Sequence, residues 1–329
     1  MTGRLVGAAF AALAALCGAA AAQDATSAWP TRPVTLVVPF AAGGPIDVVA
    51  RLISPHIGEA LGQTVVVENI GGAGGMTGAN RVAKSPPDGY TFVFGNQGTH
   101  TYSQLLYKKP LYNAVSEFAP AGLVVGNTKV LIVRKDLPVD SLKEFIAYAK
   151  ANQNSMQYGS AGGGSATHIA CVLLNDKLGT KITHVPYRGA GPALQDLVAG
   201  RIDFMCEVIS TALSQIKGQA VKPLVSLSVA RTPVLPDLPT ALELGLPDVD
   251  AEGWNGFFFP QGTPDAIVRK LNAATGKALG APAVLNRLAQ LGLNIPKPEQ
   301  RSPEFLSRLV LMELEKWGPP MKASGLSVD

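Results

Sequence analysis

The sequence predicts an α/β fold with a largely parallel sheet. One observation is that a short apolar strand, a glycine-containing loop and a helix alternate three times between residues 34 and 100. Another is that the same alternation repeats in a second block further along the chain, from residue 123 onward. Such alternation is typical of sheets covered by helices, and ligands bind there at the carboxyl ends of the strands, where these glycine loops lie.

The first 22 residues are predicted to be a secretion signal. Arg4 is the only charged residue ahead of an alanine-rich apolar run, which ends in a small-residue cleavage pattern at Ala22. Cleavage after Ala22 would release the mature chain into the periplasm. A membrane anchor fits less well, because the run is short and no charged stop signal follows it. Lipidation of Cys17 is not expected, because Leu16 stands where a small residue is normally found.

The composition describes a well-buried globular protein, since 47% of the residues are hydrophobic and 16% are charged. The mature length of about three hundred residues suits two domains. The net charge is +4 and the basic residues are scattered along the chain. A nucleic-acid partner is therefore not expected, because such proteins usually concentrate their basic side chains in one stripe.

The residue types that carry catalysis or bind metals are not grouped in the sequence. The four histidines, at positions 56, 100, 168 and 184, have no metal-like spacing. No G-x-S-x-G elbow occurs, and the sequence identifies no nucleophile with a base partner. We therefore expect no metal, no cofactor and no catalytic activity.

The first structural unit contains the first glycine loop. Val34 to Val38 predicts a buried strand that ends at Pro39, and a helix is expected from Asp47 to Leu61. Between them Gly43 and Gly44 allow the backbone to approach a guest closely. The free N–H groups and the positive dipole end of the helix favour an anion, so we interpret this loop as the grip on a carboxylate. Two alternatives stay open, a plain tight turn and Asp47 as a helix cap.

The second and third units resemble a nucleotide site only superficially. Strands are predicted from Val65 to Glu68 and from Thr91 to Phe94, with a helix that runs through Val82 between them. The glycines at 72, 74 and 78 are one residue too widely spaced for a dinucleotide fingerprint, and the next strand ends without the acidic residue that holds a ribose. Nucleotide binding is therefore not expected.

A second glycine loop spans residues 159–168, after a short strand predicted from Met156 to Tyr158. A Walker loop would end in Gly-Lys followed by Ser or Thr, and this loop contains no lysine. Ser165, Thr167 and the backbone N–H groups remain available for a carboxylate. His168 is expected to be neutral and to make a structural hydrogen bond, because a positive charge is unfavourable in the first turn of a helix.

The remaining elements follow from the same patterns. Further strands are predicted at Leu123–Val125, Lys129–Val133, Thr183–Val185, Ile202–Met205, Leu224–Val229 and Trp254–Pro260. Further helices are predicted from the capping box of Ser141 and Glu144 and at Ile169–Leu178, Ala193–Ala199, 264–280, 282–291 and 302–323. The proline-rich stretch from Pro233 to Pro247 is interpreted as ordered chain connecting two lobes. Cys171 and Cys206 are expected to be unpaired small buried residues, although the periplasm would permit a disulfide.

A set of segments resembles a known family. The segments are Val37-Val38-Pro39-Phe40-Ala41-Ala42-Gly43-Gly44-Pro45-Ile46-Asp47, Val66-Val67-Glu68-Asn69, Gly72-Ala73-Gly74-Gly75, Pro87-Asp88-Gly89-Tyr90-Thr91, Tyr158-Gly159-Ser160-Ala161-Gly162, His184-Val185-Pro186-Tyr187-Arg188-Gly189, Leu235-Pro236-Asp237-Leu238-Pro239-Thr240 and Trp254-Asn255-Gly256. In order, they resemble the periplasmic solute receptors of tripartite tricarboxylate transporters, often called Bug receptors. The resemblance implies a two-lobed type II periplasmic binding protein fold, with residues 23–125 plus 249–329 in lobe 1, residues 126–248 in lobe 2, and a ligand cleft between them.

The resemblance also implies which residues bind the ligand. One carboxylate would be held by backbone N–H groups and waters at the two glycine loops, which are Phe40, Ala41, Ala42, Gly43, Gly44 with Asp47, and Ser160, Ala161, Gly162, Gly163, Gly164, Ser165, Ala166, Thr167. The rest of the cleft would be lined by Gly98, Thr99, Gly189 and Asp203. From its place after the strand at 202–205, Glu207 is a further candidate for the cleft.

Two positions depart from the family pattern. Ile46, preceded by Pro45, stands where Ser or Thr is common, and Cys206-Glu207 stands where an Asp is usual. The first change removes a hydroxyl and adds an apolar wall. We therefore hypothesise a solute with one bound carboxylate and a more apolar or aromatic far end.

The sequence thus predicts a periplasmic, non-catalytic receptor that closes on a small organic acid by hinge motion. We expect a monomer that hands its solute to a membrane permease or reports it to a sensor protein. The rival prediction is an exported α/β hydrolase-like enzyme.

Overall fold

The computed structural model describes residues 28–247, 249–323 and 327–328. The predicted secretion signal lies outside these residues. Two separate sheets are present, one of six strands and one of five, and helices pack against both. We call the half built on the six-stranded sheet lobe 1 and the half built on the five-stranded sheet lobe 2. This architecture confirms the predicted two-lobed α/β fold.

The sheet of lobe 1 is mixed. Its strands are β1 Val34–Val38, β2 Val65–Asn69, β3 Thr91–Asn96, β4 Phe118–Asn127, β10 Gly253–Pro260 and β11 Leu293–Asn294, and their order across the sheet is β11-β4-β10-β3-β1-β2. β1 pairs in parallel with β2 and β3, whereas β10 runs antiparallel between β3 and β4. The three parallel strands therefore end at the same edge, which is where the first three glycine loops begin.

The sheet of lobe 2 follows the same principle. Its strands are β5 Lys129–Arg134, β6 Gln157–Ser160, β7 Thr183–Pro186, β8 Phe204–Val208 and β9 Val221–Ser226, in the order β7-β6-β8-β5-β9. β6 is parallel to β7 and β8, and β5 is antiparallel to β8 and β9. The second glycine loop begins at the carboxyl end of β6.

Helices cover both sheets. They are α1 Pro45–Leu61, α2 Met76–Ala83, α3 Ser103–Leu106, α4 Leu142–Asn152, α5 Ala166–Leu178, α6 Ala190–Val198, α7 Ile209–Lys217, α8 Asp265–Gly280, α9 Pro282–Gln290 and α10 Pro303–Ala323. A π-helical turn, which the sequence did not predict, spans Gly98–Tyr102 and precedes α3. None of the helices in the described part of the chain combines the length and the apolar character needed to cross a membrane.

Short crossing segments join the lobes. Thr128 alone separates β4 in lobe 1 from β5 in lobe 2, and the chain returns through Ala251 to β10. The returning segment is held on lobe 2 by the Ala251 N–H, which donates to the carbonyl of Leu227 at 2.9 Å. Such short crossings are suited to act as a hinge, because a few residues absorb the rotation between two rigid bodies.

The proline-rich stretch at 233–247 corrects one expectation. It does not connect the lobes but packs on lobe 2, because Leu238 and Ala241 are buried in the cores of that lobe. Ser226 at the end of β9 also donates its N–H to the carbonyl of Pro239 at 2.8 Å. The returning chain leaves lobe 2 only after this segment.

The cysteines correct a second expectation. Cys171 on α5 and Cys206 on β8 form a disulfide, with their Cα atoms 5.4 Å apart. The prediction of two unpaired cysteines was wrong because α5 packs directly across β8 and places both side chains in one core. The sequence separation of 35 residues gives no sign of this contact.

Candidate functional site

A cavity lies between the two lobes, at the edge where the parallel strands of both sheets end. The empty space between its walls, counted together with the open solvent at its mouth, is about 610 Å³. Its walls consist of Phe40, Gly44, Pro45, Ile46, Asp47, Val49, Asn96, Gln97, Asn127, Lys129, Ala161, Ser165, Ala166, Thr167, Ala190, Val208, Gly253, Trp254, Asn255 and Leu293. We call the part of the cavity that is lined by the glycine loops and helix starts the loop end. We call the part that is lined by Asn127, Lys129 and Asn255, next to the crossings between the lobes, the hinge end.

The first glycine loop, residues 40–44, is fixed by the carboxylate of Asp47. One oxygen accepts the N–H of Gly43 at 3.0 Å, and the other accepts from Arg51 Nε at 3.0 Å and from the amide of Asn69 at 2.9 Å. Asn69 also donates to the carbonyl of Phe40 at 3.1 Å. Burial alone would raise the pKa of Asp47, but the hydrogen bonds from Arg51, Gly43 and Asn69 outweigh it and lower the pKa. Asp47 therefore shapes the loop as an ionised carboxylate whose charge is balanced by Arg51.

The second glycine loop, residues 160–167, is fixed by neutral groups. Ser165 caps α5 by accepting the N–H of His168 at 3.3 Å. The hydroxyl of Thr167 accepts the N–H of Ala161 at 3.0 Å, which folds the start of the loop back on the helix. The Nδ1 atom of His168 accepts the N–H of Gly164 at 3.1 Å. His168 thus makes the structural hydrogen bond that the sequence predicted.

Two stacked histidines support the second loop from behind. The rings of His168 and His184 lie 4.0 Å apart between centroids. Burial lowers the pKa of His168 to about 3, with a smaller effect from His184, and burial lowers the pKa of His184 to about 4. Both rings are therefore neutral near pH 7. The Nε2 atom of His184 lies 2.7 Å from the hydroxyl of Ser160, a pair that the sequence did not reveal.

Helix starts converge on the cavity. Its lining includes the first residues of α1, α5 and α6 and the residue just before α7, which are Pro45, Ile46 and Asp47, then Ala166 and Thr167, then Ala190, then Val208. The first turn of a helix leaves N–H groups without intrahelical acceptors and carries the positive end of the helix dipole. The loop end of the cavity is therefore suited to an anion without any basic side chain.

The hinge end of the cavity is built from side chains. The amide of Asn127 donates to the amide oxygen of Asn255 at 2.9 Å. Lys129 donates its ammonium to the carbonyl of Ala251 at 2.6 Å and, more weakly, to Asn127 Oδ1 at 3.4 Å. Burial lowers the pKa of Lys129 to about 8, and the attraction of nearby carboxylates such as Glu207 offsets this only in part.

The lobes are closed on each other. The Ala41 N–H in lobe 1 donates to the carbonyl of Arg188 in lobe 2 at 3.0 Å, and the hydroxyl of Tyr107 donates to the carbonyl of Gly163 at 3.0 Å. Gly74 has a φ of +62°, and a Cβ at this position would lie 2.0 Å from the carbonyl oxygen of Gly163. Several glycines that the sequence suggested as a ligand cradle thus allow backbone contact between lobes.

The structure divides the predicted site residues into two groups. Those that line the cavity are Phe40, Gly44, Asp47, Ala161, Ser165, Ala166 and Thr167. Those that lie beside the lining, in the loops or at contacts between lobes, are Ala41, Ala42, Gly43, Gly98, Ser160, Gly162, Gly163, Gly164 and Gly189. The two glycine loops nevertheless meet at one shared hollow.

Three predicted cleft residues lie elsewhere. Thr99 is fully buried in lobe 1, where its hydroxyl accepts the N–H of Asn96 at 2.9 Å. Asp203 lies just before β8, at the opposite end of the strand from the cavity-lining Val208, and pairs with Arg134 at 2.9 Å. Glu207 is fully buried and accepts from the hydroxyl of Thr211 at 2.7 Å.

The sequence prediction missed the hinge end. Asn127, Lys129 and Asn255 come from three strands, and no local motif links them. One signal was present. Lys129 begins a predicted strand whose following residues are all apolar, and a lysine on a buried strand needs a polar partner. The hypothesis of a more apolar or aromatic far end of the solute stays a prediction: Ile46 and Trp254 line the cavity as apolar walls, and Lys129 lines it as well.

Metal ligands are not assembled in the part of the chain that the structure describes. No group of three or more His, Cys, Asp or Glu residues there could hold an ion.

Two α/β lobes, joined by short crossings and closed over a cavity lined by helix starts, define a two-lobed solute receptor. The family model described as the tripartite tricarboxylate transporter family receptor matches residues 49–326, and the chain belongs to this family. The family resemblance seen in the sequence is thereby confirmed. The protein is a periplasmic-type solute-binding receptor.

Solved structures with the same fold agree. MatC of Rhodopseudomonas palustris, solved with bound malate, is 43% identical, with a TM-score of 0.87 over 89% of this chain and 100% of that chain. The periplasmic binding protein BugD is 38% identical, with a TM-score of 0.88 over 91% and 99% of the two chains. A second R. palustris protein, solved with adipate, is 35% identical, with a TM-score of 0.86 over 91% and 99%.

Proposed function

We propose that the protein captures a small organic acid between its lobes, holds one carboxylate at the loop end of the cavity, and delivers the acid to the membrane permease of a tripartite transporter. The observation that carries this proposal is the convergence of helix starts on a hollow closed by both lobes. Unpaired first-turn N–H groups bind oxyanions without a metal or a nucleophile. The two R. palustris relatives, one solved with malate and the other with adipate, support the same chemistry.

The proposed function does not include catalysis. The hydroxyl of Ser160 lies 2.7 Å from Nε2 of His184, a contact that resembles part of a catalytic pair. Ser160 is fully buried, and its oxygen also accepts the N–H of Gly162 at 3.1 Å. This arrangement fixes the turn of the loop, and Ser160 is not among the residues that line the cavity. A hydrolase is therefore the weaker candidate.

Several parts of the sequence prediction enter the proposal. Residues 1–22 would be removed as a signal peptide, and the mature protein would act in the periplasm as a monomer. The two moving bodies would be those of the predicted division, 23–125 plus 249–329 and 126–248, with the first boundary moved to Thr128, just after β4 ends, and the second moved past Ala251, which still packs on lobe 2. A sensor protein in place of a permease is the alternative partner.

Isothermal titration calorimetry with a panel of organic acids tests the function. We expect saturable binding of at least one carboxylic acid and no turnover of a matching ester panel. Gly74→Ala should weaken this binding by roughly tenfold or more, because the added Cβ meets the Gly163 carbonyl and holds the lobes apart.

The matched control is Gly200→Ala. Gly200 has a similar positive φ of +74°, but a Cβ there meets nothing within 4 Å, so the variant carries the same backbone strain without the contact between lobes. Ester hydrolysis, or equal binding by the two variants, would contradict a receptor that works by closure.

A further inference from the structure

The last helix, α10, is anchored in lobe 1 by its first turns. Leu306 and Val310 are buried in one core cluster with Phe258 of β10. That strand belongs to the six-stranded sheet of lobe 1. The helix therefore moves with lobe 1 if the lobes separate.

The end of α10 packs where the two lobes meet. Trp317 and Met321 are buried in a different cluster, which also contains Tyr102 of lobe 1 and Ile169 of α5, a helix of lobe 2. The rings of Trp317 and Tyr102 meet edge to face, with their centroids 5.3 Å apart. Separation of the lobes would divide this cluster and expose apolar surface to water, which is unfavourable.

The chain segment Ser327–Val328, which we call the terminal strap, contacts both lobes. The N–H of Val328 donates to the carbonyl of Leu106 at 2.9 Å, and Val328 forms a parallel bridge with Tyr107, so its backbone is bound to lobe 1. Its side chain packs against the cluster of Trp317 and Met321. A Cβ at Gly163 of lobe 2 would lie 3.1 Å from Cγ1 and 3.7 Å from Cγ2 of Val328, so the same side chain also contacts the second glycine loop.

The terminal strap reinforces a contact that closes the lobes. The hydroxyl of Tyr107 donates to the carbonyl of Gly163 at 3.0 Å. Ser327 and Val328 line a groove together with Tyr107 and Gly163, and this groove has walls from both lobes. One polar contact and one apolar contact therefore join the same pair of segments.

We infer that the terminal strap is a latch that stabilises the closed receptor and slows the release of its solute. This inference rests on the proposed function, in which the lobes close on a bound acid. The contact of Val328 with Gly163 can exist only while the lobes are together, so it favours the closed state over the open one. Contacts of this kind act mainly on the dissociation rate, because they form after the solute has entered.

Stopped-flow kinetics with the mature protein test the latch. The probe is whichever of malate, succinate, glutarate and adipate binds most tightly in calorimetry at pH 7. Val328→Ser keeps the length of the chain and its terminal charge, and it should raise the dissociation rate about threefold. Deletion of residues 327–329 should raise this rate about fivefold. The association rate should stay within about twofold in both variants.

The control is Val115→Ser, the same substitution at a valine of lobe 1 that is 49% exposed, and it should keep the wild-type rates. Small-angle X-ray scattering adds a readout that needs no solute. The ligand-free deletion variant should have a larger radius of gyration than the wild-type protein, because more molecules are open.

The outcomes separate the latch from the receptor function. Unchanged dissociation rates in both strap variants, or an equal rise in Val115→Ser, would refute the latch and leave the receptor function intact. Failure of every acid to bind would refute the proposed function, and the scattering comparison would then decide the latch by itself.

Discussion

The two glycine loops have the same local architecture but are held by different forces. Each follows a parallel strand and leads into a helix that starts at the cavity. The first loop depends on one ionised group, because the buried carboxylate of Asp47 gathers Gly43, Arg51 and Asn69. The second loop depends on hydroxyls and neutral imidazoles, with a disulfide between its helix and β8.

The two loops therefore share a backbone shape but not the groups that stabilise it. Glycines after a strand predict a loop that suits an anion, but the side chains that make the loop rigid differ between the two lobes. The two loops should therefore respond to different treatments. Reduction and acid should affect the second loop first, and loss of a carboxylate should affect the first.

The largest expected effect is the loss of stability when the disulfide is removed. The double variant Cys171→Ser/Cys206→Ser should lower the free energy of unfolding by about 4 kcal/mol, the entropic value for closing a loop of this length. Urea unfolding of the variant and of the protein treated with reductant measures this loss. An unchanged midpoint in both would show that the packing of α5 on β8 alone holds the second loop.

The second largest expected effect is a loss of stability at acidic pH. The pKa of His184 falls to about 4 in the folded protein, from an ordinary value near 6.5. Between these values the unfolded chain binds a proton that the folded chain does not, so stability is full above pH 6.5 and falls as the pH drops toward 4. The loss from His184 is at most about 3 kcal/mol, and less where solvent reaches the ring.

A variant isolates this histidine from the other groups that titrate. His184→Asn keeps a polar group near Ser160 but removes the titrating group. Between pH 4 and 6.5 unfolding of the variant should therefore take up about one proton fewer, and its free energy of unfolding should fall less steeply with decreasing pH, by about 1.4 kcal/mol per pH unit. Urea unfolding at several pH values between 4 and 7 provides both slopes. Identical slopes would mean that His184 titrates normally and does not support the loop in its neutral form.

Much of the fold was predictable from the sequence. The strands at 34–38, 65–69 and 91–96 and the helices at 265–280 and 303–323 follow from short apolar runs, glycines and prolines. These signals are local, so they survive without knowledge of the topology. The strand near 204 was placed two residues early, because Ile202 continues the apolar pattern although it lies before the ladder begins.

The site was predictable only at its loop end. The groups at its hinge end are close together because β4, β5 and β10 lie side by side where the chain passes between the lobes. No local sequence pattern predicts this proximity. The disulfide and the contact of Ser160 with His184 were missed for the same reason, since helix-on-sheet packing and strand pairing bring distant positions together. The glycines were recognised, but many of them serve closure between backbones.

The smallest expected effect comes from the support of the first loop, and the chain supplies a matched pair of sites for it. Asp47 with Arg51 on α1 and Asp265 with Arg269 on α8 are both ion pairs four residues apart in the first turn of a helix. The carboxylate side chain is 6% exposed in the first pair and 70% exposed in the second. The pairs differ in burial and in the further hydrogen bonds that Asp47 accepts from Gly43 and Asn69.

Asp47→Asn should lower the free energy of unfolding by about 1–2 kcal/mol, because a buried charged acceptor of several hydrogen bonds is replaced by a neutral amide. Asp265→Asn should change it by about 0.5 kcal/mol or less, as is usual for exposed pairs. Carboxylate binding should weaken by roughly tenfold in the first variant alone, since Asp47 lines the cavity and fixes the first glycine loop, whereas Asp265 is not part of the lining. Thermal unfolding and calorimetry on both variants measure the two effects. Equal stability losses, or full binding by Asp47→Asn, would show that the first loop keeps its shape through the backbone and that the charged support is dispensable.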